Sequence, residues 1–185
     1  MRRSSHSAYG LAALVGVLLL RGLPSRAETL AEIENLSLVV NWTQHSTGID
    51  PSGRPFSGNS QWTTRLYISS KGNVFSSPAE TNRINPGPRV FAVGTTTDQG
   101  GGYAVTWAMA DGHLTQTSKY PQGSTDLVFA IDPAHMTCVF ELRRHPDPRT
   151  GLITPRTSAG TVQLRSIETL SSSCNVTRGN IFATE

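Results

Sequence analysis

The chain has 185 residues, with 16 Lys and Arg against 13 Asp and Glu, a formal charge of +3. The positive excess sits in one place. Residues 1–27, MRRSSHSAYGLAALVGVLLLRGLPSRA, hold Arg2, Arg3, Arg21 and Arg26 and no acid, so the remainder carries twelve bases against thirteen acids, a net charge of −1. That balance excludes a basic nucleic-acid-binding domain, and with no Lys/Arg cluster longer than Arg143-Arg144 it also excludes a polybasic membrane patch.

The N-terminal stretch reads as a signal peptide. Arg2 and Arg3 form the positive start, Leu11 to Leu20 the apolar run, and Pro24 with Ser25-Arg26-Ala27 the small-residue cleavage region. The apolar run has ten residues, whereas a membrane-spanning helix takes about 20. The expected organisation is therefore a leader over 1–27 and one all-β domain over 28–185. The mature protein is then expected to be exported, periplasmic or secreted, with an uncleaved membrane anchor as the alternative. Arg outnumbers Lys ten to two after residue 27, a bias that points to a GC-rich bacterium, where the acceptor patterns at Asn35, Asn41 and Asn175 have no glycan to receive.

After residue 35 helical periodicity is almost absent. Asn35 to Thr43 alternates, with Leu36, Leu38, Val40 and Trp42 on one face. Residues 44–61, rich in Gly, Pro and Ser, are expected to be a long loop. Trp62 to Ser69 alternates again, Lys71-Gly72-Asn73 is turn chemistry, and Val74-Phe75 begins a return strand. A proline-rich loop over 76–88 precedes a short strand at Arg89–Gly94. Further strands are predicted at Tyr103–Ala110, His113–Tyr120, Thr125–Asp132, Thr137–Arg144 and Thr161–Leu170, with a last one from Cys174. Trp42 and Trp62 are expected in the core or at a barrel end. Eight or nine short strands joined by turns predict a single antiparallel barrel of the up-and-down, calycin-like kind, with a β-sandwich as the alternative.

Gly100-Gly101-Gly102 is the one stretch that invites a phosphate-loop reading. Such a loop needs a helix after the glycines. The next residues are YAVTWAMA, with period two, so the glycines connect into a strand. Asp111-Gly112 is a type I′ hairpin signal. A two-residue turn there puts Tyr103, Val105, Trp107, Met109, Leu114, Gln116, Ser118 and Tyr120 on one face. Aromatic rings beside an amide and a hydroxyl suit a ligand cavity, which makes Tyr103, Trp107, Gln116 and Tyr120 the candidate ligand-binding residues. The competing reading makes Trp107 a core plug and Gln116 a structural hydrogen-bond partner.

Cys138 and Cys174 are the only cysteines, and in an exported chain they are expected to form a disulfide. In the chain-entropy view, closing such a loop stabilises by roughly 3–4 kcal/mol. His45, His113, His135 and His145 lack metal-ligand spacing, so no metal site is assigned. No cofactor motif and no catalytic set is assigned either. Asp126, Asp132 and Glu141 would be the carboxylates of an envelope hydrolase if the fold brought two together. In architecture alone the chain is similar to lipocalin-like or avidin-like small barrels. The lipocalin Gly-x-Trp is absent, because Val40-Asn41 precede Trp42.

Three candidate functions emerge. The leading one is an exported barrel that binds a small molecule or a protein partner. The others are the envelope hydrolase and a structural or inhibitory interaction domain with no pocket.

Overall fold

The computed structural model describes residues 30–77, 87–157 and 159–183; the expected leader and most of the proline-rich 76–88 segment lie outside them. A short 3₁₀ turn, Leu30–Ile33, precedes twelve strands. These are β1 (Leu36–Ile49), β2 (Pro55–Ile68), β3 (Asn73–Ser77), β4 (Arg89–Ala92), β5 (Thr96–Gly100), β6 (Tyr103–Ala110), β7 (His113–Lys119), β8 (Ser124–Asp132), β9 (Thr137–His145), β10 (Arg156–Thr157), β11 (Gly160–Thr161) and β12 (Gln163–Arg178). Alternation of large apolar with polar or small residues gives each main strand one face to bury.

Ten of the strands form one antiparallel sheet in the order β4-β3-β2-β1-β12-β9-β8-β7-β6-β5. Laid flat, ten strands would separate the two edges by roughly 43 Å. Yet β4 and β5, the two edges, are joined by residues 93–95 alone, a link that spans roughly 14 Å at full stretch. The sheet must therefore curl, and it is nearly closed into a barrel. Backbone bonds secure the corner: Gly94 N–H donates to the Trp107 carbonyl at 2.7 Å, and Val93 N–H to that of Gly72 at 3.1 Å. The barrel expectation holds, and a sandwich of two packed sheets does not describe the chain.

Three sequence-based expectations are corrected. Residues 44–61 are not a long loop: β1 and β2 pair without interruption from Leu36↔Ile68 to Ile49↔Pro55. Only residues 50–54 turn, where Asp50 Oδ1 accepts from the N–H of Ser52 and of Arg54 and from Ser52 Oγ, at 2.7–2.9 Å. Backbone pairing needs no apolar side chains, so the small polar residues there concealed a strand. Pro55, which has no N–H to give, opens β2. Next, the two segments predicted at Thr161–Leu170 and from Cys174 are one strand of 16 residues, β12. Finally, β5 has no counterpart among the predicted strands; its TTDQG has no large apolar residue.

The Gly100-Gly101-Gly102 run is the turn between β5 and β6, with φ of +83°, +62° and +76°. Cys138 and Cys174 are disulfide-bonded, Cα atoms 5.6 Å apart, and join β9 to β12. The bridge adjoins the single β pair between these strands, Thr137↔Asn175.

The Asp111-Gly112 hairpin has the expected register, Ala110↔His113, Met109↔Leu114 and Trp107↔Gln116. Both turn residues have positive φ, +49° and +75°. A β-branched side chain in that region costs about 1–2 kcal/mol, so Gly112→Val should lower stability by at least about 1 kcal/mol in urea unfolding. A neutral result would contradict this turn.

Candidate functional site

Six aromatic rings cross the interior at mid-height. Trp62 stacks on Trp42 (centroids 6.2 Å), Trp42 meets Phe140 (5.0 Å) and Phe140 meets Phe129 (5.7 Å). Phe129 stacks on Trp107 (6.1 Å), which meets Phe91 (6.4 Å). Each such pair is worth about 0.5–1.5 kcal/mol beyond its buried area. The layer draws on β1, β2, β4, β6, β8 and β9, so it braces the barrel across its width.

The two halves of the interior differ in chemistry. On one side of the layer Ile33, Leu38, Leu66, Ile68 and Val74 are fully buried, and that end is closed. On the other side the inward positions turn polar: Gln44 and Ser46 on β1, Gln116 and Ser118 on β7, Thr125 on β8, Arg144 on β9 and Thr169 on β12. Gln44, Gln116, Arg144 and Thr169 are half-buried, and Ser46, Ser118 and Thr125 are buried. The connection after β9 bonds to the strands and turns at this end: Thr154 N–H donates to the Gln122 carbonyl and Ile153 N–H to the Leu164 carbonyl, each at 3.0 Å, with Ile153 and Thr154 buried. Short bonds order part of the lining. Trp42 Nε1 donates to Gln44 Oε1 at 3.1 Å, and Gln44 Nε2 to Ser46 Oγ at 3.2 Å.

The four residues singled out from the sequence share this interior face. Tyr103 and Tyr120 stack with ring centroids 5.5 Å apart and planes 6° apart. The Tyr120 hydroxyl lies 3.3 Å from Thr125 Oγ1. Gln116 Nε2 donates to Ser118 Oγ at 3.2 Å, a bond within its own strand. Trp107 is fully buried inside the aromatic layer. The structure thus brings Tyr103, Gln116 and Tyr120 to the polar end and puts Trp107 in the aromatic layer beneath them.

Among the described residues four buried side-chain polar atoms have no hydrogen-bond partner: Trp62 Nε1, Trp107 Nε1, Arg144 Nε and Thr169 Oγ1. All belong to inward-facing residues. Phe140, Leu142 and Arg144 alternate onto the core side of β9, and Thr169 is the cross-strand partner of Gln44. Three of the four are obligatory donors. An unpaired buried donor costs about 1–3 kcal/mol, and most buried groups in folded proteins avoid that cost. Sequence reading passed over Arg144, although the alternation Phe140, Leu142, Arg144 carried the signal. Gln44 gives no such signal, because the composition of 44–61 reads as a loop.

The outer wall carries a different set. Asp126 accepts from Thr117 Oγ1 at 2.8 Å and has His145 Nε2 2.8 Å from its other oxygen. Beside them runs a groove of about 350 Å³ lined by Lys119, Tyr120, Ser124, His145 and Pro146, among others. Asp126, Asp132 and Glu141 all point outward, and each has its own partner. The Arg143 guanidinium holds Glu141 below the usual carboxylate range, and a bond from His135 does the same for Asp132. His45, His113, His135 and His145 engage separate neighbours, and no group of three metal-ligating side chains gathers among the described residues.

Comparison with protein-family models, with curated proteins and with solved structures finds no match for this chain.

Burial raises the pKa of the Tyr120 phenol above its ordinary value; the Thr125 bond opposes the shift and Tyr103 adds to it. Below about pH 10, the ordinary Tyr value, the phenol is protonated in both folded and unfolded chains. Above it the unfolded chain gives up the proton first, so stability falls as pH rises until the higher folded value is passed. Tyr120→Phe should flatten this alkaline decline in urea unfolding between about pH 9 and pH 11. An unchanged slope would mean that Tyr120 is solvated.

Proposed function

We propose that the protein is an exported bacterial binding module that holds a small, flat, largely apolar molecule at the polar end of its barrel, with the aromatic layer as floor. The observation that carries the reading is the set of unpartnered buried donors on inward-facing residues around an aromatic surface. A ligand with hydrogen-bond acceptors satisfies groups that the fold alone leaves unpaired, and its apolar body covers Trp42 and Trp62. The stacked Tyr103 and Tyr120 form one wall, with Gln116 between them and the floor. Export is supported by the disulfide, which suits an oxidising compartment, and by the leader pattern in residues 1–27.

Phenylnaphthylamine, a neutral fluorescent probe, tests the reading on the mature, oxidised protein. All three tryptophans lie in the aromatic layer, so a probe bound above it should show saturable energy transfer from them, one probe per chain. Gln116→Leu should weaken probe binding yet cost less than about 1 kcal/mol of stability, because it removes one neutral hydrogen bond. Absence of saturable transfer would overturn the proposal. A stability loss of about 3 kcal/mol for Gln116→Leu would instead make that amide a structural partner.

A further inference from the structure

The two adjacent arginines of β9 are treated in opposite ways. Arg143 faces outward and donates to Glu141 Oε2 at 2.7 Å. Arg144 faces inward. Its Nη2 donates to the Arg165 carbonyl at 2.6 Å, its Nε is buried and unpartnered, and no carboxylate forms an ion pair with it among the described residues.

The strand registers explain why no acid of the described strands reaches it. Asp98 pairs with Ala104 on the outer side of the β5–β6 ladder, and Asp126, Asp132 and Glu141 alternate outward with respect to Phe129, Ile131 and Phe140. Glu168 is opposite His45, on the other side of the strand from Thr169 and Gln44. Every acid on the ten-stranded sheet therefore faces away from this end. Arg89, at the rim, is exposed and already bonded to Gln99 at 3.0 Å.

We infer that the ligand carries an anionic oxygen group, a carboxylate or a sulfonate, and that Arg144 is its anchor. This rests on the interior-binding reading and adds the ligand's charge to it. Arg144 is half-buried: the Nη2 bond to the Arg165 carbonyl is exposed, while Nε is buried without a partner, and a buried donor of a charged group left unpaired is costly. The Arg165 carbonyl fixes one arm of the fork and leaves Nε for an acceptor arriving from the interior. Charge-assisted bonds of this kind are about twice as strong as neutral ones. The ligand class is thus a small amphipathic acid, with its ring or apolar body on the Trp42–Trp62 surface and its acidic group on Arg144. Thr169 and the Trp62 indole N–H are further unpaired donors on the inner faces of β12 and β2.

The test pairs two probes that differ by one group: anilinonaphthalene sulfonate and its uncharged parent, phenylnaphthylamine. Both are titrated into the mature, oxidised protein and followed by energy transfer from tryptophan. The wild type should bind the sulfonate at least about tenfold more tightly than the parent, a difference of about 1.4 kcal/mol. Arg144→Gln should abolish that advantage, so that the two probes bind within about twofold of each other, while Arg144→Lys should keep part of it. Equal affinity of the two probes for the wild type overturns the inference and spares the binding reading. So does a sulfonate affinity that survives Arg144→Gln. Binding of neither probe overturns both. The wild-type comparison decides the matter even if the Arg144→Gln protein fails to fold.

Discussion

The pairing of the first long strand with the last underlies everything else in this molecule. β1 runs antiparallel to β12 from Leu36↔Arg178 to Ile49↔Gln163, joining segments more than a hundred residues apart in sequence. Without that ladder the chain would hold two separate meanders, β1 to β4 and β5 to β9, each with an apolar face open to water. With it, the two become one sheet, and the short corner between β4 and β5 brings the edges together. The disulfide reinforces this arrangement where it is thinnest. β9 and β12 share only one β pair, and the covalent link lies immediately beside it.

The aromatic layer is a consequence of that closure. Trp42 meets Phe140 only because β1 and β9 both flank β12, and Phe91 meets Trp107 only because the barrel curls. Filling the mid-section with six rings divides the interior into an aliphatic half and a polar half. Tyr103 and Tyr120 stack at the polar end, and Gln44, Gln116, Thr169 and Arg144 gather around it. The charge distribution is set by strand parity: acids alternate outward, where His145 and Arg143 meet them, and Arg144 alternates inward.

The candidate site was legible in part. A single hairpin carried the readable portion: the I′ turn at Asp111-Gly112 set the register, and the register put Tyr103, Gln116 and Tyr120 on the face of Trp107. That inference needs only local geometry, since a two-residue turn fixes which side chains lie opposite each other. Trp107 itself, shared between the core and the site on sequence grounds, is fully buried in the aromatic layer, because its depth depends on Phe91 and Phe129 from other strands.

By itself the sequence determined the strand character of most segments, the disulfide pair, the central hairpin and its two faces, and the barrel class. These are set by period-two alternation, turn residues and a cysteine count of two. Tertiary structure alone decided which strands neighbour one another, that the Gly- and Ser-rich residues 44–61 extend β1 and β2, and that Arg144 faces inward with no acid paired to it among the described residues. The physical reason is common to all three. Strand pairing is made by backbone groups that every residue carries, so partner choice leaves no mark on composition. A side chain's missing partner is a property of what other strands bring to the same end of the barrel.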